Sequence, residues 1–140
     1  HCLLLDFHGN DRTENNIQLG YGISEKCILN YIDLDKSTLK SLNKFYDPFT
    51  LIFTDRSFSS GFNGFTVFPN KLTNKFCKQI YYDGGYIIKT YSKKYNIDAI
   101  QIEISKNLRK EKLEKLSREF TNAIILFYFI NYYPIFLKIM

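Results

Sequence analysis

Hydrophobic and polar positions alternate along this chain in two recognisable periods. Residues 99–105 are the clearest case. Ile100, Ile102 and Ile104 alternate with Gln101, Glu103 and Ser105, which predicts a strand with one aliphatic and one polar face. Residues 3–6 form a short apolar run that predicts a doubly buried strand. It ends in Asp6-Phe7-His8-Gly9, and Asn10, Asp11, Arg12 and Thr13 open a loop behind it. Two further apolar runs, 25–34 and 49–53, are read as strands, the first with the weaker pattern.

The helical period appears in three places. Leu39, Leu42 and Phe45 share a face, so a helix is expected over 37–46, with Ser37 as its cap and Pro48 as its stop. Ile87, Ile88, Tyr91 and Tyr95 predict a helix over 86–95 introduced by Asp83-Gly84-Gly85, with its first amides placed to meet an anion. From Lys110 onward Leu113, Leu116, Phe120, Ile124 and Phe127 make one stripe, and Glu111 can pair with Lys115 across a turn. Gly20 and Gly22 bracket Tyr21 in a turn. Residues 56–74, rich in Ser, Gly, Asn and Phe, predict a long loop. Strands alternating with helices point to an α/β domain, a mixed sheet flanked by helices.

Composition narrows the classes of function. With 140 residues there is room for one domain, and 45% apolar and 17% aromatic content predicts a packed interior. The net charge of +5 attracts acidic ligands only mildly. The lysines alternate with acids and apolar groups instead of forming a basic face, so a nucleic-acid partner is not expected. Cys2, Cys27 and Cys77 are odd in number and show no CxxC spacing, which argues against a disulfide framework or a structural zinc site and for a reducing, cytoplasmic setting. The apolar stretch beyond Ala123 is interrupted by Asn131, Pro134 and Lys138. It falls short of the roughly 20 apolar residues a bilayer requires, so a buried terminal helix is expected in place of a membrane anchor.

Candidate chemistry sits on two strands. An imidazole two residues beyond a carboxylate, as in Asp6-Phe7-His8, can ligate a metal while the carboxylate orients it, although such a pair is more commonly structural. Glu103, on the polar face of an otherwise aliphatic strand, is a carboxylate that partial burial could adapt to proton transfer.

Taken in order, Asp6-Phe7-His8-Gly9, Leu19-Gly20-Tyr21-Gly22, Gly84-Gly85-Tyr86-Ile87 and Gln101-Ile102-Glu103-Ile104-Ser105 resemble the N-formylglutamate amidohydrolase family, and more distantly the zinc carboxypeptidases and succinylglutamate desuccinylases. The resemblance is strongest over 3–109, with 110–131 as a terminal helix. It implies a hydrolase-like α/β domain that cleaves the amide bond of a small N-acyl amino acid. It makes His8 a zinc ligand with Asp6 behind it, Glu103 the catalytic carboxylate, and Arg12, Gly84 and Gly85 substrate-binding. One histidine cannot hold a catalytic zinc, which takes about three protein ligands. Because His1 leads directly into an apolar run, the chain is expected to be N-terminally truncated and to lack the segment that supplies the rest of the metal site. The alternative function is therefore a non-catalytic remnant or interaction module of the same fold.

Overall fold

The computed structural model describes residues 2–30, 32–40, 65–69 and 80–131. Strand β1 (Leu3–Asn10) pairs in parallel with β4 (Asp98–Ser105), β4 pairs antiparallel with β2 (Asn16–Gly20), and β2 pairs in parallel with β3 (Thr66–Phe68). The order is β1-β4-β2-β3, a mixed four-stranded sheet. Helices α1 (Glu25–Leu29), α2 (Tyr86–Tyr95), α3 (Lys106–Glu111) and α4 (Leu113–Asn131) and a 3-10 turn (Leu34–Lys36) complete the described elements. The architecture is α/β, as the alternation of periods predicts.

β4 lies inside the sheet between β1 and β2, and all eight of its residues are buried, the polar ones included. On one side Ile100, Ile102 and Ile104 join Ile17, Leu19 and Val67 against Leu116, Phe120, Ala123 and Phe127 of α4 in a single apolar cluster. Phe7 closes its margin, its ring meeting Phe120 edge-on at 5.2 Å. Full burial of such side chains contributes about 1.5–3 kcal/mol each, so this layer is the main source of cohesion.

Several expectations are corrected. β1 does not stop at Asp6; the alternation continues through His8 to Asn10, and the strand is half-buried at one side of the described sheet instead of doubly buried. Of the four polar residues expected to open a loop, Asn10 ends the strand, and Asp11, Arg12 and Thr13 lie in the loop that follows. Residues 16–20, overlooked because Asn, Gln and Gly read as loop, form the fully buried β2. Residues 25–29 form a helix and not a strand, started by Ser24, whose Oγ accepts the Cys27 N–H.

The long loop of 56–74 contains β3, and the rest of it lies outside the described residues apart from Phe65 and Pro69. Ser37 Oγ accepts the N–H of Leu39, as a cap would, but the helix expected through Tyr46 and the strand at 49–53 also lie outside the described residues. α2 occupies the span its period predicts, with a different buried face: Ile88 and Ser92 point inward, while Ile87, Tyr91 and Tyr95 are exposed. The terminal helical region is interrupted at Lys112, so Glu111 and Lys115 belong to different helices, and Lys115 Nζ lies 5.3 Å from the Phe65 ring centre. Leu116, Phe120 and Phe127 of the stripe are buried, whereas Leu113 is exposed. No helix among the described residues is long and apolar enough to cross a membrane.

Candidate functional site

The second face of the sheet is polar. Because adjacent strands hold their side chains level, the register sets Asp6 beside Gln101 and Gly20, His8 beside Glu103 and Gln18, and Asn10 beside Ser105. Asn16 closes the last row, its N–H reaching Ser105 Oγ at 3.4 Å. A polar surface in the middle of a sheet must find hydrogen-bond partners, and the backbone of 80–85 supplies many of them. Tyr82 N–H donates to Gln18 Oε1 at 2.9 Å, Gly85 N–H to Gln101 Oε1 at 2.6 Å, and Gly22 N–H to Asp83 carbonyl oxygen at 2.6 Å. Tyr81 adds its hydroxyl, donated to the Leu19 carbonyl.

This strap passes so close to β2 that Gly20 is required. A Cβ there would stand 2.6 Å from the Tyr82 carbonyl oxygen and 2.8 Å from Gly84 N. Gly84 turns the strap into α2 with φ +119, a conformation that favours glycine, and a side chain on it would meet Ile88 Cδ1 at 2.2 Å. The two glycines expected to bind substrate therefore act on the backbone path. Gly85 directs its amide to Gln101 and not to an anion.

His8 and Glu103 are register partners on this face. His8 Nε2 donates to Asp6 Oδ2 at 2.9 Å, so Asp6 orients the ring and leaves Nδ1 available. The two environments differ: the His8 side chain is 43% exposed, whereas Glu103 is 6% exposed. Glu103 Oε1 accepts from Gln101 Nε2 at 3.1 Å, so Gln101 bridges the strap and the carboxylate.

Glu103 lies in the wall of an open cleft of about 580 Å³, together with Gly9, Asn10, Asp11, Arg12 and Tyr82. Arg12 is fixed there from two sides: Nη2 donates to the Ile80 carbonyl at 2.7 Å, and the guanidinium stands 4.9 Å from the Tyr82 ring centre. Its own N–H reaches Asn10 Oδ1 at 3.2 Å, which turns the Asn10 amide so that Nδ2 is the free end. Arg12 Nη1 and Asn10 Nδ2 are both buried without a hydrogen-bond partner among the described residues. The loop that carries Arg12 is held by Lys106 N–H to the Arg12 carbonyl and Asn107 Nδ2 to the Thr13 carbonyl.

Two other cations of the chain, Arg109 and Lys89, have partners of their own. Arg109 Nη2 donates to the Asn10 carbonyl at 2.9 Å, with its guanidinium lying over Gly9, and Lys89 Nζ is 3.5 Å from Asp83 Oδ2. Of the predicted site residues, then, Asp6, His8, Glu103 and Arg12 gather on one polar face, and the glycines shape its cover. Gln18, Gln101, Asn10 and Tyr82 were missed. A signal for the first two was present in the alternation with Ile17, Leu19, Ile100 and Ile102, but a long polar side chain in a strand reads as solvent-facing until both faces of the sheet are known to be covered.

No family model, no curated protein and no solved structure matches this chain. A catalytic zinc needs about three protein ligands. Among the described residues no group of three His, Cys, Asp or Glu side chains is placed to hold a metal ion. The described residues do not by themselves fit a zinc ion, and His8 is the one imidazole they offer at this face.

Proposed function

We propose that the polar face is an amide-hydrolase site for a small N-acyl amino acid, within a hydrolase-like α/β domain of the N-formylglutamate amidohydrolase kind. The observation that carries this reading is the register pairing of His8 with the buried Glu103, beside a cleft bordered by the fixed guanidinium of Arg12. Two buried donors with no partner among the described residues, Arg12 Nη1 and Asn10 Nδ2, support it, because donors of this kind are costly to leave unpaired and a carboxylate satisfies both.

In this mechanism Arg12 and Asn10 hold the carboxylate of the substrate, so its amide lies toward Glu103. Gln101 holds Glu103 Oε1, which leaves Oε2 to take a proton from water as the water attacks the carbonyl carbon. As the C–N bond breaks, Glu103 returns that proton to the departing nitrogen, giving the free amine and the acyl acid. Asp6 fixes the His8 ring beside this centre. Zinc belongs to the proposal through the resemblance of His8 to a family ligand. No step is assigned to it, since the described residues do not complete its shell. The free thiols of Cys2 and Cys27 are consistent with a cytoplasmic setting for such chemistry.

The second reading is a non-catalytic remnant or interaction module of the same fold. Hydrolysis of N-formylglutamate and N-acetylglutamate by the purified chain, followed as amine release, separates the two. Turnover that falls by roughly 10²–10⁴-fold in Glu103→Gln supports the hydrolase. Zinc measured by elemental analysis and lost in His8→Ala would add the metal. An unreactive wild-type chain without zinc would leave the module.

A further inference from the structure

The cleft at the Glu103 face is unevenly charged. Its described lining carries one guanidinium, Arg12, and two carboxylates, Asp11 and Glu103. The neighbouring cation Arg109 lies on the other side of β1. Its guanidinium fills the place that a Cβ on Gly9 would take, and Gly9 pairs in register with Ile104 of the apolar face. Among the described residues, one cation is thus offered to a ligand in the cleft, which suits one carboxylate. A second carboxylate on the same ligand would face Asp11 and Glu103, where like charges repel.

The same end of the sheet holds a buried acceptor. Asn16 opens β2 and is 6% exposed, and its Oδ1 has no hydrogen-bond partner among the described residues. The backbone N–H of Asn16 is used twice, toward the Glu14 carbonyl at 2.8 Å and Ser105 Oγ at 3.4 Å, so the strand end is fixed by its main chain. Register sets Asn10, Ser105 and Asn16 in one row across β1, β4 and β2, with Glu103 in the next row between the two asparagines. Two strand spacings separate Asn10 from Asn16, roughly 10 Å at the backbone.

Three buried side-chain atoms left unpaired among the described residues therefore gather here: Asn10 Nδ2, Arg12 Nη1 and Asn16 Oδ1. The first two are donors and the third is an acceptor. Together they match a ligand that accepts at one end and donates at the other, several bonds apart. An ammonium would bury its charge against an uncharged amide oxygen, and a short hydroxyl side chain does not cover the span. A carboxamide on a two-carbon stem has the reach and stays neutral beside Asp11 and Glu103.

We infer that the substrate of this site is an N-acyl amino acid with a single carboxylate and a carboxamide side chain, of the N-acylglutamine type. The inference rests on the amide-hydrolase reading and narrows its substrate class. The three branches at the substrate Cα then meet three corners: the carboxylate at Arg12 and Asn10, the acyl amide at Glu103, and the side-chain N–H at Asn16 Oδ1.

The test compares hydrolysis of N-formyl-L-glutamine and N-formyl-L-glutamate by the 140-residue chain, together with calorimetric binding of N-acetyl-L-glutamine and N-acetyl-L-glutamate to Glu103→Gln. The glutamine compounds should be preferred by about tenfold or more in kcat/KM and in affinity. Asn16→Ala keeps the backbone bonds of the strand end and should bring that preference to within about threefold, as the Asn16 hydrogen bond is lost. Asn16→Ser, whose hydroxyl is too short for the contact, is the second variant and should do the same. Turnover of both formyl compounds without preference, or with preference for glutamate, overturns the inference and leaves the amide-hydrolase reading standing. Preferred, saturable binding of N-acetyl-L-glutamine with no turnover of either formyl compound overturns the hydrolase reading and leaves the ligand assignment standing. No saturable binding of either acetyl compound, or a preference unchanged in both Asn16 variants, overturns the inference.

Discussion

The two faces of the sheet are made by the same strands and held by different forces. Under α4, Ile102 and Ile104 meet Phe120 and Phe127 in a layer whose cohesion comes from apolar area removed from water. Under the strap of 80–85, Gln101, Glu103 and Gln18 are almost as deeply buried, yet they are held by directed bonds such as Gly85 N–H to Gln101 and Tyr82 N–H to Gln18. Apolar packing tolerates compromise in angle, whereas a buried amide or carboxylate is stable only when each partner is in place. The first face therefore supports the fold, and the second can hold reactive groups at set positions with few ways to relax.

The sharpest way to break this contrast is at the apolar layer. Phe127→Ala, at a fully buried position under the sheet, should cost about 3–5 kcal/mol in denaturant unfolding. A loss below about 1 kcal/mol would mean that α4 is not the main support. Gln101→Leu has a similar volume and removes both bonds of the bridging amide, leaving Gly85 N–H and Glu103 Oε1 unmatched. It should cost roughly 1–3 kcal/mol and reduce any hydrolysis further than Phe127→Ala does in the folded fraction.

Gly20→Ala tests the close passage of the strap. Its Cβ would oppose backbone atoms at 2.6 and 2.8 Å, so roughly 1–3 kcal/mol of strain is expected, with faster hydrogen exchange at the Tyr82 and Gly85 amides while the Ile102 amide stays protected. Uniform exchange across both faces would mean they form one cooperative unit. Glu103→Gln should change stability least, by under about 1 kcal/mol, since the new amide can keep the bond from Gln101. A large destabilisation would show that Glu103 is structural and would weaken the proposal that it carries the proton.

Legibility followed the period of the pattern. β4 and α2 were legible because period two and period 3.6 each run over several turns or pleats, so their spans needed no tertiary information. β2 was not, since two apolar residues among Asn, Gln and Gly are too few to outweigh a loop reading. Helix α1 depended on the Ser24 cap, a local bond that five residues of apolar pattern do not reveal. At the candidate site, Asp6, His8 and Glu103 could be singled out by residue type. Asn10 and Gln101 could not, because their importance comes from the partners that Arg12 and Gly85 provide.

The sequence by itself determined the two-faced character of β4, the position of α2 behind its glycines, and the presence of an imidazole and carboxylates near strands. These follow from backbone geometry, which alternates side chains along a strand and steps them around a helix wherever the chain goes. Only the tertiary structure decided that β4 inserts between β1 and β2, that the polar face is covered by a strap, and that residues some 95 positions apart, His8 and Glu103, stand side by side. Register and burial depend on which surfaces meet, and that choice is made by the whole set of packed faces at once.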